Sequence, residues 1–269
     1  MTPPPLRVSA VSYLNAVPLV WGLIHGPFRD QFQVEFTVPA KCADALRDGQ
    51  ADAGILPSIE YQRIPDLKIV PGLSISSAGP VRSVLLISQC PIQQIGSLAL
   101  DTSSRTSACL AQILLQRHYQ IAPRLESHAP DLRTMLSQCD AALMIGDPAL
   151  ASDFPGLVVY DLAEEWRAMT GLPFVFAVWA VRKEAASLEL VKQFQQATAY
   201  ALEHMEEITR SEVKRTGLTC SLIREYLTKN IDFSLGAENL KGLRLFYRLA
   251  QEMGLTNGTR PLEFVSSDK

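Results

Sequence analysis

The sequence predicts an α/β fold of two lobes around a ligand cleft, closed by a helical C-terminal segment. Short apolar or alternating runs are interleaved with helical patterns through residues 6–182, the signature of sheets covered by crossover helices. From residue 187 onward only helical periodicity remains. The two longest strand-like runs, 81–88 and 174–182, bracket a middle segment with strands and helices of its own, so the chain is expected to cross into a second lobe and return. The expected division is 1–88 with 175–269 for the first lobe and 89–174 for the second.

The strand expectations, in order, are 6–13, 33–38, 53–56, 68–75, 81–88, 97–100, 141–145, 157–160 and 174–181, each a short apolar or alternating run. Between them, 15–25, 40–48, 106–119 and 131–138 carry apolar residues at three- and four-residue spacing, with Gly or Pro near several ends, and read as helices over a sheet. In the C-terminal third, Leu190, Phe194, Ala197, Ala201, Met205 and Ile208 form one helical stripe. Leu240, Leu243, Phe246, Ala250 and Met253 form another. No low-complexity linker or fixed-period repeat divides the chain, which argues against a solenoid or a beads-on-a-string arrangement.

The 269 residues are 47% hydrophobic and 20% charged, with 28 acidic against 25 basic side chains and a formal charge of −3. That balance argues against a basic-patch nucleic-acid binder. The longest apolar run, 174–181, is far short of the roughly 20 residues that span a bilayer. The start, Met-Thr-Pro-Pro-Pro, has neither a basic region nor an apolar signal core, so a cytoplasmic protein is expected. Cys42, Cys90, Cys109, Cys139 and Cys220 are odd in number and widely spaced, without a CxxC pair, and read as small hydrophobes rather than disulfides or metal ligands. A nucleophilic cysteine would need a histidine beside it in the fold, which spacing does not decide.

Conventional catalytic groups are sparse. His25, His118, His128 and His204 lie in predicted helix ends or polar loops without matching partners, and GxSxG, HExxH, a P-loop and GxGxxG are absent. What recurs is a strand ending in small polar residues just before a helix: Ser12-Tyr13-Leu14-Asn15, Pro57-Ser58-Ile59-Glu60, Asp101 to Ser107, and Gly146-Asp147-Pro148. Such junctions make anion seats at the carboxyl ends of strands, and they also make ordinary N-caps. The stretch 101–107 exceeds what a cap needs, with hydroxyls at 102, 103, 104, 106 and 107, and is read as ligand-binding. Arg82 and Ser83 are adjacent on a predicted strand, so only one of them should face the cleft unless the strand is bulged. Arg105, at a helix start, is either solvated or a ligand contact. From the residues alone the chain reads as a two-lobed binder of a small acid, or an enzyme whose substrate does most of the work.

Six blocks narrow that choice: Val-Ser-Tyr-Leu-Asn-Ala-Val-Pro-Leu (11–19), Leu-Pro-Ser-Ile-Glu-Tyr (56–61), Gly-Pro-Val-Arg-Ser-Val-Leu-Leu-Ile-Ser (79–88), Asp-Thr-Ser-Ser-Arg-Thr-Ser (101–107), Met-Ile-Gly-Asp-Pro-Ala-Leu (144–150), and Asp-Leu-Ala-Glu-Glu-Trp with Gly-Leu-Pro-Phe-Val-Phe-Ala (161–177). In order and together they resemble the chorismate dehydratase family, which opens the futalosine route to menaquinone. The resemblance implies the type 2 periplasmic-binding-protein fold and a cytoplasmic hydro-lyase that takes water from chorismate to give 3-(1-carboxyvinyloxy)benzoate, with no metal or organic cofactor. It assigns Asn15 and Ser83 to the reacting centre, and Ser58, Ser103, Ser104, Arg105, Thr106 and Gly146 to substrate binding. Ser12 and Asp147, at their own junctions, join the binding set. The proton acceptor is either Asp147 or the enolpyruvyl carboxylate of the substrate. Alternatives are the later pathway enzyme, 1,4-dihydroxy-6-naphthoate synthase, and a non-catalytic cytoplasmic small-acid binder. The lobes are expected to close on the substrate about hinges near Ser88 and Phe174, and the oligomeric state is left open.

Overall fold

A computed structural model describes residues 5–266 of the chain; residues 1–4, which open the stretch read for a signal segment, lie outside the described residues. The chain begins with β1 (Leu6–Val11), a 3-10 turn at Leu14–Ala16 and α1 (Val17–Ile24). It continues through β2 (Phe32–Thr37), α2 (Pro39–Arg47), β3 (Ala53–Pro57), the single-turn α3 (Ser58–Tyr61) and the long β4 (Leu67–Ser77). Pro18 and Pro39 sit in the first turns of α1 and α2, where an N–H would have no intrahelical partner.

A second group follows: β5 (Val84–Ser88), β6 (Ser97–Asp101), α4 (Arg105–Ile113), β7 (Arg124–His128), α5 (Leu132–Gln138), β8 (Ala141–Ile145), α6 (Gly146–Ala151), β9 (Val158–Asp161) and α7 (Leu162–Thr170). The chain then returns through β10 (Phe174–Arg182) to α8 (Leu188–Glu203), α9 (Met205–Thr216), α10 (Cys220–Glu225), β11 (Asp232–Leu235) and α11 (Ala237–Glu252).

Two mixed sheets result, ordered β11-β4-β10-β3-β1-β2 and β7-β6-β8-β5-β9. β1 runs parallel to β2 and β3, while the returning β10 is antiparallel to both of its neighbours, β3 and β4. In the second sheet β6 is parallel to β7 and β8, and β5 is antiparallel to β8 and β9. The alternation and the cross-and-return reading therefore correspond to two sheets joined by two crossings.

Three expectations need correction. The first crossing lies in 78–83, ahead of β5, so the strand expected to end the first lobe belongs to the second sheet. The physical reason is local: Arg82 has φ +62, which ends extended pairing before Val84, and its N–H donates to Asp161 Oδ2 at 2.6 Å. The other oxygen of Asp161 caps α7, so one carboxylate fixes both the crossing and the helix behind it. The C-terminal third is not helix alone, because β11 adds an edge strand to the first sheet. The polar edge strand β7 was also unexpected.

The core is nearly continuous. β10 is buried on both faces from Phe174 to Val181, and one apolar cluster runs from it into both sheets. A smaller cluster around Ile87, Met135 and Met144 fills the far side of the second sheet. At the return crossing Trp166 of α7 meets Phe174 and Phe246 edge-on, with ring centroids 5.3 and 6.3 Å away, which ties second-sheet and first-sheet elements together. Among the described residues no helix is long and apolar enough to cross a membrane.

Candidate active site

The two sheets face each other across a seam, and strand-to-helix junctions from both sides meet there. A small cavity in the seam is lined on the polar side by Tyr13, Asn15, Ser104, Thr106, Ser107 and Gly146, and on the apolar side by Val11, Ile75, Val84, Ile145 and Phe176 among others. Among the described residues its lining contains no carboxylate, imidazole, amine or guanidinium. The recurrent junctions thus come together in part, and what they offer is hydroxyl and amide groups against an apolar wall.

Asn15 lies in the 3-10 turn after β1 and its Oδ1 is buried without a hydrogen-bond partner. A buried acceptor left open in a cavity wall is poised for a donor on a ligand. Ser104 is the N-cap residue of α4, yet its hydroxyl makes no capping bond and is free to face the cavity. Thr106 closes the seam differently, accepting the Ile59 N–H on Oγ1 at 3.2 Å. Ser103 is buried, with its N–H held by Asp101 Oδ1 at 2.7 Å and its own hydroxyl unpaired.

Gly146 is required twice over. It has φ +69, and a Cβ built there would sit 2.7 Å from three atoms of the Tyr13 ring. Its N–H donates to the carbonyl of Ser83 at 2.8 Å, so the β8 to α6 junction hangs on the residue assigned to the reacting centre. Burial pushes the Tyr13 hydroxyl above its ordinary range, and the neighbouring Ser103 side chain acts on it in the opposite sense.

Ser83 is fully buried, and its hydroxyl lies 2.6 Å from the hydroxyl of Tyr226, a residue in the π-helical turn Tyr226–Asn230 after α10. Burial first holds that phenol's proton well above the ordinary tyrosine range, while the Ser83 and Asn15 side chains act on it in the opposite sense. Tyr226 therefore joins the two residues assigned to the reacting centre, and sequence reasoning missed it. The available signal was weak: an aromatic in a helical pattern reads as core. Arg82 points away, toward Glu225 at the surface, so Ser83 alone of that pair faces inward.

Other assigned residues are engaged elsewhere. The Ser58 hydroxyl donates to the Val175 carbonyl at 2.8 Å, and the Ser58 carbonyl accepts from Tyr247. Ser12 borders a separate hollow beside Trp21, Glu212 and Arg215. Arg105 bridges Glu60 at 3.0 Å and Asp44 at 2.9 Å across the seam. Asp147 accepts the Leu14 N–H at 2.8 Å on one oxygen and Arg215 at 2.9 Å on the other, which makes it a clasp between α6 and the opposite lobe. Away from the cavity, His128 is not alone as its spacing suggested: Glu126 and Cys139 converge on it.

The profile of the menaquinone-biosynthesis family matches residues 6–252. This chain belongs to that family. It is 31% identical over 263 residues to a chorismate dehydratase of Thermus thermophilus, covering 90% of this chain and 93% of the other. It is 27% identical over 251 residues to a chorismate dehydratase of Campylobacter jejuni, covering 91% and 97%. Among solved structures, protein AF1704 of Archaeoglobus fulgidus superposes with a TM-score of 0.77 at 16% identity, over 93% of this chain and 98% of that one. The periplasmic aliphatic sulphonate binding protein SsuA of Escherichia coli superposes with a TM-score of 0.66 at 17% identity, over 96% and 95%. The fold of this family member is thus that of the periplasmic binding proteins.

Proposed function

We propose that this member of the menaquinone-biosynthesis family is a chorismate dehydratase, a hydro-lyase that removes water from chorismate to leave 3-(1-carboxyvinyloxy)benzoate, acting in the cytoplasm at the head of the futalosine route. The full-length similarity to two chorismate dehydratases supports the activity. The observation in the site that carries the reading is a seam cavity whose polar wall is hydroxyl and amide, without a strong acid or base.

Such a wall suits this reaction. The proton leaves the ether-bearing ring carbon and the hydroxide leaves its neighbour, so the ring becomes aromatic and one water is released. Aromatisation supplies the driving force, and the protein contributes orientation and stabilisation of charge developing on the ring carboxylate. Asn15 in the cavity wall and the buried Ser83, which hydrogen-bonds Tyr226, form the reacting centre. Ser103, Ser104, Thr106 and Gly146, with the first-turn N–H groups of α4, bind carboxylate. Both oxygens of Asp147 are engaged by Leu14 and Arg215, which favours the enolpyruvyl carboxylate of the substrate as the proton acceptor.

The seam holds only about 50 Å³ of free volume, against roughly 300 Å³ or more for a typical small-ligand site. The lobes therefore part to admit a ring acid and close over it, turning about 78–83 and 171–173, where the chain crosses. Small-angle scattering should record a smaller radius of gyration with product bound; identical profiles would sink the closure.

The deciding experiment mixes purified protein with chorismate, without added metal or nucleotide, and follows ultraviolet absorbance with product mass. A product lighter by one water with a benzoate spectrum is expected. Chorismate bound but unaltered would make the chain a small-acid binder instead, and no binding would redirect the search to the later naphthoate synthase reaction.

A further inference from the structure

The second sheet carries a cluster that the proposed reaction does not use. β7 is an edge strand in which Glu126 and His128, two residues apart, turn to the same inward side while Arg124, Leu125 and Ser127 stay exposed. Cys139, at the C-cap of α5, is buried against them. The carboxylate oxygen, imidazole nitrogen and thiol sulfur all lie within 4.8 Å of one another.

Their surroundings leave these atoms facing each other. His128 Nε2 is buried and makes no hydrogen bond, and it stands 3.5 Å from Glu126 Oε2. Glu126 Oε1 is held by Arg124, which leaves the second oxygen toward the cluster. Next to Cys139, the Asp140 carboxylate accepts from the N–H groups of Gly96 and Ser97 and from the Ser97 hydroxyl at 2.8 to 3.0 Å, which locks the backbone that presents the thiol.

We infer that Glu126, His128 and Cys139 form a binding site for a divalent transition metal of the zinc class. One thiolate, one imidazole and one carboxylate are the donor types that zinc takes, and sulfur with nitrogen disfavours magnesium and calcium. Bond lengths of about 2.0 to 2.3 Å put tetrahedral donors roughly 3.3 to 3.7 Å apart, a spacing that His128 and Glu126 already have at 3.5 Å and that the thiol, within 4.8 Å of both, reaches by closing about an ångström at most. Three protein donors leave a fourth position for water. The His128 carbonyl accepts the Thr102 N–H at 3.1 Å, so the site stands one hydrogen bond from the hydroxyl loop of the cavity without contributing to its lining.

The test titrates the chelator-treated full-length chain with cobalt(II). One equivalent per chain should bind, with a thiolate-to-cobalt charge-transfer band in the near ultraviolet and visible bands of four-coordinate intensity, and zinc should displace it. Cys139→Ser should abolish the charge-transfer band. His128→Gln and Glu126→Gln should each weaken zinc binding by about 10-fold or more, since a lost first ligand costs at least what a lost supporting partner does. Circular dichroism and melting of the metal-free variants check that each is folded, and the partly exposed Glu126→Gln serves if a buried change is not tolerated. Absence of the band in the folded wild type overturns the inference. So does a band that survives Cys139→Ser but disappears in Cys90→Ser or Cys220→Ser.

Discussion

Ser58 and Ser104 stand at the same kind of place, a hydroxyl between the end of a strand and the start of a helix, and the fold uses them in opposite ways. Ser58 follows β3, a central strand between β1 and β10, and its hydroxyl reaches across to the carbonyl of Val175 on β10. Ser104 ends a three-residue loop after β6, which carries it beyond the sheet into the seam, where its hydroxyl caps nothing and faces the cavity. Identical local chemistry is structural in one lobe and available to a ligand in the other. The difference lies in partners more than 100 residues away in one case and in the length of a loop in the other.

The strongest way to break the comparison is at the residues that the cavity leaves open. Asn15→Ala removes a buried unpaired acceptor from the cavity wall. Loss of one positioned polar group in a reacting centre costs about 10²- to 10³-fold in turnover. A fall of that size in kcat is expected for chorismate dehydration, measured by ultraviolet absorbance, with the melting temperature nearly unchanged. Wild-type turnover in Asn15→Ala would return Asn15 to the role of a turn residue.

A smaller effect is expected at Tyr226→Phe, which deletes the hydroxyl that meets Ser83 at 2.6 Å and leaves the ring in the core. Tyr226 acts through its hydrogen bond to Ser83, so it is a positioning residue. The expected outcome is roughly a 10-fold loss in kcat, of the order of one hydrogen bond of about 1 kcal/mol, with KM close to wild type. A rise in KM at constant kcat would mean that the phenol shapes binding rather than the reacting pair.

These two residues also mark what the sequence could tell. The alternation of runs, the crossing and return, the hydroxyl-rich stretch 101–107 and the Gly-Asp-Pro turn were legible because each is a local pattern. Tyr226 was not, since its partner Ser83 is 143 positions away and its own surroundings read as helix. β11 was hidden for a related reason: four residues at a sheet edge, inside a helical stretch, give periodicity too little length to register. Arg82 hid the crossing, because a left-handed arginine before Ser-Val-Leu-Leu-Ile looks like the continuation of a strand. The clasp roles of Asp147 and Arg105 depend on partners from the opposite lobe, which no junction motif names.

Between Ser58 and Ser104 the contrast is sharpened by making the same change at both. Ser58→Ala should lower stability by about 1 kcal/mol, the usual worth of one buried hydrogen bond, and leave KM unchanged. Ser104→Ala should do the reverse, raising KM by about 3- to 10-fold, the equivalent of a single neutral hydrogen bond, with no measurable change in chemical denaturation. Equal stability losses in the two would show that the Ser104 hydroxyl is structural after all.

The smallest expected effect concerns the residue that shapes the loop. Asp101 holds the Ser103 N–H on one carboxylate oxygen, while the other is buried without a partner, and burial raises its pKa above the ordinary value. A carboxyl with a raised folded pKa binds more protons folded than unfolded. Its contribution to stability is therefore full below the unfolded value of about 3.9 and is lost as pH rises through the folded value. Asp101→Asn keeps the Oδ1 acceptor for Ser103 and removes the titration. Measured by urea unfolding at a series of pH values from about 3.9 upward, the stability of Asp101→Asn should gain on wild type as pH rises and then level off. Parallel curves would mean that the carboxyl is not held up by burial, and the loop would owe its shape to the Ser103 bond alone. A gain confined to stability, with KM unmoved, would place Asp101 beside Ser58 as a group that builds the junction, and would leave Ser104 and Thr106 as the part of the same loop that meets the ligand.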